Sequence, residues 1–194
     1  WSEIGTGPLS FRMLPNGFTS NIKGMCSYEA EGATLSQLLL LCNGSIVKHL
    51  AKALNPTVGF GINNFKSIPA ALPSIERSER FGAELVGMSV RDWDSYETSW
   101  NFTSHPLLYL DHRQPTLKAC YQKLRAHWRE VTLEMQRLEE ENNRIFIDAY
   151  DLQDELVEKV DLSEITLTCN PYYRYGGDKS EDELETMLLA DTMR

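Results

Sequence analysis

The strongest constraint on the fold is a run of mostly apolar residues spaced alternately by four and three positions. It comprises Leu117, Tyr121, Leu124, Trp128, Val131, Met135, Leu138, Asn142, Ile145, Ala149 and Leu152. This spacing places the side chains along one stripe of an α-helix, so it predicts a long, heptad-patterned helix resembling a coiled-coil strand. No Pro or Gly lies between Thr116 and Leu152. A helix of that extent would be about 55 Å long at 1.5 Å per residue, and another helix is needed to cover its stripe.

Asn142 lies in this stripe, and the sequence permits two interpretations. A buried amide costs stability in a helix seam but fixes the register of the packing helices. In the second interpretation, the helix breaks near Asn142 and Asn143 and the amide is solvated. The sequence leaves both open.

The first third of the chain and one later segment have strand-like patterns. Residues 9–14 and 18–22 are separated by Pro15-Asn16-Gly17, a turn signal, and residues 57–62 and 165–168 form two further candidate strands. We therefore expect an α+β fold.

Helix signals follow the first strand candidates. Thr34 is a predicted N-cap, and apolar residues recur every three or four positions over residues 35–54. Asn43-Gly44 predicts a kink or a split in this helix, and Asn55-Pro56 predicts its end. A second helix is expected from Ile75, with the aromatic series Trp93, Tyr96 and Trp100 continuing at helical spacing. Ser180 and Glu183 form a predicted capping box that opens a terminal helix.

These patterns predict four regions. Residues 1–68 form a small mixed strand/helix recognition module, and residues 69–115, which begin with a proline-bounded connector, contain a helix. Residues 116–155 form the long helix, and residues 156–194 form an acidic loop and helix.

Charge is distributed unevenly. The 194 residues carry 19 Lys and Arg against 28 Asp and Glu. The net formal charge is +2 over residues 1–75, +1 over residues 76–129 and −12 over residues 130–194. Because phosphate neutralisation supplies much of the affinity for nucleic acid, we expect any DNA contact to precede residue 130.

Composition also bears on location. The longest uninterrupted apolar run, residues 38–42, is far shorter than the roughly 20 residues of a membrane helix, so no membrane partner is expected. Cys26, Cys42, Cys120 and Cys169 are scattered, without metal-ligand spacing, as is typical of the reducing cytoplasm.

The chain does not begin with Met and its last residues have a helix-like pattern, so we interpret it as a piece of a larger protein.

Asn170-Pro171-Tyr172-Tyr173 invites comparison with the Asn-Pro-Pro-Tyr loop that binds a flipped adenine in amino-group DNA methyltransferases. The second proline is missing, and Gly59-Phe60-Gly61 lies on a candidate strand rather than at the start of a helix. A structural aromatic loop is therefore the preferred interpretation. No arrangement of His, Ser or Cys suggests a nucleophile. We predict no catalytic, cofactor-binding or metal-binding residue in this chain.

Two groups of residues are candidates for contacting double-stranded DNA. Turn-borne Asn, Arg and Lys side chains, which pair well with base edges, are Arg12, Asn16, Asn21, Lys23, Asn63, Asn64 and Lys66. A basic run without acidic residues, suited to the phosphate backbone, contains Arg113, Lys118, Lys123, Arg125 and Arg129. Turn chemistry alone also explains the Asn residues, and the basic run could instead complement an acidic neighbour.

Two groups of segments resemble a known family. Residues 38–57 and 60–69 are similar to the helix-then-strand unit of target recognition domains in adenine-specific methyltransferases. Residues 92–100, 134–148, 165–177 and 189–194 resemble the BREX (bacteriophage exclusion) adenine methyltransferases of the PglX type.

The resemblance implies a parent enzyme that uses S-adenosylmethionine to methylate adenine in host DNA. This methylation distinguishes host DNA from phage DNA. It also implies that the methyl-transfer domain lies outside this chain. We expect the chain to supply DNA target recognition and a helical spacer. The alternative is a docking module that binds other BREX subunits or a phage inhibitor and does not contact DNA.

Overall fold

The computed structural model describes residues 1–5, 9–21, 23–29, 31–55, 57 and 59–193. Within them the chain forms the α-helices α1 (Leu35–Asn43), α2 (Ser45–Leu54), α3 (Ile62–Lys66), α4 (Ile75–Trp93), α5 (Leu117–Ala149), α6 (Pro171–Tyr175) and α7 (Glu181–Thr192). Short 3-10 helices occupy Pro106–Leu108, Leu110–His112 and Leu162–Glu164.

The predicted α+β fold is wrong. The described residues contain no β-strand, and pairs of described residues form only isolated bridges, Ser2 with Gly24 and Ile4 with Gly59. The chain is therefore mostly helical, and the predicted mixed strand/helix module is not present.

In two of the four candidate strands, side chains rather than a neighbouring strand bind part of the backbone. The Phe11 N–H donates to Asn43 Oδ1 at 2.9 Å. The Thr168 and Cys169 N–H groups donate to the Asp92 carboxylate at 2.5 and 2.9 Å. Ile62, the expected end of a strand, begins α3. Two other residues of the predicted strands, Ile22 and Val58, lie outside the described residues.

The chain divides into two compact units. Unit 1 comprises Trp1–Glu84 and Glu139–Lys159, and unit 2 comprises Leu85–Leu138 and Val160–Arg194. The apolar core of unit 1 includes Leu40, Leu41, Ile46, Val47, Phe81 and Phe146. The core of unit 2 includes Leu124, Trp128, Leu138, Ile165, Leu167, Leu184 and Leu188.

Local signals at α1 and α2 are confirmed. Thr34 caps α1 through a capping box with Gln37, in which the Gln37 N–H donates to Thr34 Oγ1 at 3.3 Å. The predicted split occurs at Gly44, which is extended and ends α1 just before α2 begins. Helix α2 ends at Leu54; Pro56, which was expected to end it, lies outside the described residues.

Two consecutive asparagines of α5 cap the split between α1 and α2. The Asn142 side-chain amide donates to the Leu40 carbonyl at 2.9 Å. The Ser45 N–H donates to Asn143 Oδ1 at 2.9 Å, and Asn143 Nδ2 donates to the Glu158 carbonyl at 3.0 Å. Both asparagines are buried and α5 continues through them. The structure thus selects the buried, register-fixing interpretation of Asn142.

The buried face of α5 is wider than the predicted stripe. Asn142 and Asn143 are both 6% exposed, although adjacent helix positions point about 100° apart. Cys120, Thr132 and Ile147 are also buried outside the predicted stripe. This width is typical of a helix enclosed in a globular core rather than one covered by a single partner.

Helix α5 ends earlier than predicted. Asp151 has a φ of +55°, and the Leu152 N–H donates to the Ile147 carbonyl at 3.1 Å. The Asp151 N–H donates to the Asp148 carbonyl at 3.3 Å. These two bonds form a Schellman motif, with Asp151 in the left-handed position that glycine usually occupies. The absence of glycine there hid the helix end from the sequence pattern.

The remaining helices follow their sequence signals in part. Helix α4 begins at the predicted Ile75 but stops at Trp93, so Tyr96 and Trp100 lie in turns rather than in a continued helix. The Ser180–Glu183 capping box at the start of α7 is confirmed. In the part of the chain that the structure describes, no helix combines the length and apolar character needed to cross a membrane.

Candidate nucleic-acid interface

An aromatic cluster organises the N-terminal part of unit 1. The Trp1 ring lies 4.8 Å from the Phe65 ring and 5.1 Å from the Phe11 ring, measured between centroids. Phe11 and Phe65 are 6.0 Å apart, and Trp1 Nε1 donates to the Phe60 carbonyl at 2.7 Å. The cluster brings two distant segments together, and sequence reasoning missed it because it has no periodic signature.

Asn43 fixes the backbone of one of these segments. It accepts from the Phe11 N–H at 2.9 Å and donates to the Phe11 carbonyl at 3.1 Å. Arg12, the next residue, is exposed. The Asn43-Gly44 pair predicted only the helix split, and no sequence pattern indicated this anchoring contact.

Helix α3 supplies the second segment. Asn64 accepts from the Gly61 N–H at 3.2 Å and so stabilises the start of the helix. Asn63 precedes Phe65 in the chain and Lys66 follows it, and both residues are exposed. The Phe11 and Phe65 rings lie 6.0 Å apart, so Arg12, Asn63 and Lys66 belong to segments that meet at the aromatic cluster of unit 1.

The remaining N-terminal candidates are engaged locally. Asn21 Oδ1 accepts from the N–H groups of Lys23 and Gly24 at 2.9 and 3.0 Å, so its side chain shapes a turn. Lys23 Nζ lies 3.3 Å from the Glu3 carboxylate. By contrast, the side chains of Arg12, Asn16, Asn63 and Lys66 are exposed and have no hydrogen bond or ion pair with any described residue.

The basic run of unit 2 does not form one stripe. At about 100° per residue, Lys118, Arg125 and Arg129 fall within about 40° of one another on α5, whereas Lys123 lies roughly 120–160° away. Arg125 makes a bidentate contact with Glu185 of α7, with Nε–Oε2 at 2.8 Å and Nη2–Oε1 at 2.5 Å. The Arg129 guanidinium lies 2.6 Å from Glu181. Two of the five cations thus complement an acidic helix, the alternative that the sequence left open.

Lys123 lies beside a histidine pair. It lines an open groove of about 540 Å³ together with Leu110, Asp111, His112, Ala126, His127 and Glu130. The His112 and His127 rings are 5.4 Å apart. Burial of His112, and secondarily the nearby His127, lowers the pKa of the His112 imidazole from its usual 6.5. Arg113 and Lys118 are exposed and make no ion pair among the described residues.

The Asn170 side chain is committed to the backbone. It is fully buried, and its Nδ2 donates to the Leu162 and Ile165 carbonyls at 2.7 and 2.9 Å. Its Oδ1 accepts from the Tyr172 N–H at 3.1 Å, which caps α6. Both amide hydrogens and the side-chain oxygen of Asn170 therefore have hydrogen-bond partners within unit 2, as the structural interpretation of the aromatic loop requires.

The Gly59-Phe60-Gly61 segment does not fit an S-adenosylmethionine site. Gly59 pairs with Ile4 in an isolated bridge, and the Gly61 N–H is taken by Asn64. A glycine-rich cofactor loop instead leaves its N–H groups free at the start of a helix. Within the described ranges, no three His, Cys, Asp or Glu side chains are grouped closely enough to hold a metal ion.

Exposed cationic and amide residues thus neighbour the aromatic cluster in the chain: Arg12 follows Phe11, and Asn63 and Lys66 lie close to Phe65 in the sequence. The chain is 35% identical over 159 residues, 80% of its length, to the adenine-specific methyltransferase PglX of Lacticaseibacillus casei (strain Zhang). It is 24% identical over 195 residues, its whole length, to the adenine-specific methyltransferase BrxX of Escherichia coli O9:H4 (strain HS). No protein-family model matches the chain.

The chain belongs to the PglX-type family of BREX adenine-specific methyltransferases, which confirms the resemblance carried by its sequence motifs. It spans 13% of the length of the PglX relative and 16% of the length of the BrxX relative.

Proposed function

We propose that this chain is the DNA target-recognition and spacer portion of a site-specific adenine DNA methyltransferase acting in phage defence. The observation that carries the proposal is the match to PglX over 80% of the chain, combined with the exposed residues around the Trp1–Phe11–Phe65 cluster. A methyltransferase must flip the target adenine while other residues bind its neighbours. In this proposal the second task falls to Arg12, Asn16, Asn63 and Lys66, which are exposed.

The methyl-transfer step belongs to a domain outside this chain in this proposal. S-adenosylmethionine would supply the methyl group there. The residues of this chain position the DNA: Arg12 and Lys66 contact phosphates, and Asn16 and Asn63 contact base edges. Arg113, Lys118 and Lys123 are secondary phosphate contacts. Arg125 and Arg129 contribute little, because Glu185 and Glu181 offset their charges.

A docking module is the second candidate function. Unit 2 exposes several large apolar side chains, among them Trp100 at 95%, Leu108 at 74% and Leu110 at 80%. Exposed apolar residues next to acidic ones suit a protein partner with basic and apolar groups. Other BREX subunits or a phage inhibitor are the partners this alternative names.

A salt titration separates the two functions. The binding of a full-length methyltransferase carrying this chain to duplex DNA is measured by fluorescence anisotropy between about 50 and 200 mM salt. The Arg12→Ala/Lys66→Ala variant should reduce the slope of log affinity against log salt by about two, one per lost phosphate contact. Lys52→Ala, an exposed lysine on α2, is the matched control and should leave the slope unchanged. An unchanged slope in the double variant favours the docking module.

A further inference from the structure

Residues 12–20 form an exposed loop that is held at both ends. Before the loop, Asn43 binds both backbone groups of Phe11 at 2.9 and 3.1 Å. After it, Asn21 forms a local turn with Lys23 and Gly24, and the Glu3 N–H donates to the Lys23 carbonyl at 3.1 Å. Every loop residue except Met13 is exposed. We refer to this segment as the 12–20 loop.

A defined turn forms the tip of the loop. The Phe18 N–H donates to the Pro15 carbonyl at 3.4 Å, and Gly17 has a φ of +93°. A positive φ at the third residue of a four-residue turn is typical of type II, which favours glycine there. The turn therefore fixes Asn16 and Phe18 next to each other at the tip.

The tip exposes apolar side chains that the rest of unit 1 does not cover. Phe18 is 58% exposed and Leu14 is 49% exposed, on the two sides of the turn. Such residues are usually buried, and a large ring held at an anchored tip is typical of a contact surface. Apolar wedges of Phe and Leu flanked by Arg and Asn are the side chains that proteins insert into the minor groove of DNA.

The charge around the loop favours DNA as the occupant. No acidic residue occurs between positions 4 and 28, whereas Arg12 begins the loop and Lys23 follows it three residues after its end. Lys23 lies 3.3 Å from the Glu3 carboxylate, so Arg12 supplies the exposed cation of this stretch that has no ion pair among the described residues. An apolar tip within an acid-free, cationic segment complements a phosphate-lined groove.

We propose that the 12–20 loop enters the minor groove of duplex DNA, where Phe18 partly inserts between base pairs and Asn16 contacts a base edge. Arg12 contacts the backbone beside the insertion. This inference rests on the proposed function, and it names the residues that deform and read the target. Insertion of the ring bends the DNA. The bent duplex contacts more of the protein surface, and these contacts offset the cost of unstacking the base pairs.

The test uses a full-length methyltransferase carrying this chain and duplexes with 2-aminopurine at successive positions of its target site. Besides the flipped target adenine, wild-type protein should increase 2-aminopurine fluorescence at one further base step, because the Phe18 ring unstacks that step. Phe18→Ala should abolish the increase at the further step and weaken binding by about tenfold or more. Asn16→Ser should relax the preference for one base pair by about tenfold. Tyr28→Ala is the matched control, since Tyr28 is a 77% exposed aromatic outside the loop, and it should change neither readout.

The outcomes distinguish this inference from the proposed function. If the wild-type protein binds its site and Phe18→Ala binds it equally well, the loop insertion is wrong and the proposed function stands. If Phe18→Ala lowers the melting temperature without DNA while Tyr28→Ala does not, Phe18 packs against the protein and the insertion is again wrong. If the wild-type protein shows no preference for any DNA site, the proposed function itself fails.

Discussion

Asn142 donates from its side chain to the Leu40 carbonyl at 2.9 Å, joining residues that are 102 positions apart. Leu40 lies in the last turn of α1, where carbonyls lack partners within the helix. The Asn143 side-chain oxygen accepts from the Ser45 N–H in the first turn of α2, where N–H groups also lack partners within the helix. The two asparagines thus stabilise the helix split at Gly44, because they bind the Leu40 carbonyl and the Ser45 N–H, which would otherwise lack these hydrogen-bond partners.

We expect Asn142→Ala to lower the free energy of unfolding by about 2 kcal/mol, because the buried Leu40 carbonyl would lose its partner. Urea unfolding followed by tryptophan fluorescence measures this change. Asn63→Ala, at an exposed asparagine on α3, is the control and should stay near the wild-type value. Equal stability of the two variants would show that Asn142 does not support the split.

The two ion pairs between α5 and α7 should differ in strength. Glu185→Ala leaves Arg125, whose side chain is only 12% exposed, without its bidentate partner, and should cost about 2–3 kcal/mol. Glu181→Ala removes a contact between side chains that are 60% and 56% exposed, and should cost less than about 0.5 kcal/mol. The same urea titration tests both, and equal costs would contradict the role assigned to burial.

Replacing either of two glycines in the interior of α4 by alanine should change the stability of the protein, but in opposite directions. A Cβ on Gly82 would meet Ser36 Cβ at 3.1 Å, and Ser36 is itself buried, so Gly82→Ala should destabilise unit 1 by about 1–2 kcal/mol. A Cβ on Gly87 would meet only the end of the Arg91 side chain, which can move away. Gly87→Ala should therefore stabilise by about 0.5–1 kcal/mol through helix propensity. A shared sign in thermal unfolding would refute the predicted close approach of Gly82 to Ser36.

Stability should depend on pH through His112. Burial, and then the adjacent His127 and Lys123, lower the pKa of His112 in the folded protein, whereas Asp111 partly opposes them. The unfolded chain therefore binds a proton more readily than the folded chain, and stability falls as pH drops through the usual value of 6.5. The loss is complete below the lowered pKa.

Urea unfolding of wild type and His112→Phe at pH 7.5 and 5.5 measures this contribution. The phenylalanine variant should lose less stability on acidification than wild type. His49→Gln, at an exposed histidine, should behave as wild type does. An identical loss in all three proteins would contradict the assignment.

Local signals explain how much of the fold could be predicted. Thr34 and Ser180 were identified as caps because a cap depends on side chains three residues apart. The long helix followed from apolar periodicity. Its end at Ala149 was missed because Asp151, rather than glycine, adopts the left-handed conformation.

Features set by distant residues could not be predicted. The strand candidates have suitable residues, but Asn43 and Asp92 satisfy their backbone groups from elsewhere in the chain. The basic run was correctly seen as free of acidic residues, yet only the fold shows that Glu185 reaches Arg125 across 60 positions. The candidate residues Arg12 and Lys66 were identified from residue type alone, and their shared aromatic anchor was not visible in the sequence.

The measurement that tests the central proposal most directly is a segment exchange. In a full-length methyltransferase carrying this chain, residues 1–194 are replaced by the matching segment of a relative that methylates a different site, and modified adenines are located by single-molecule sequencing. We predict that the methylated sequence changes to that of the segment's donor, with total methylation retained. Methylation that continues at the original site would show that another part of the enzyme selects the target.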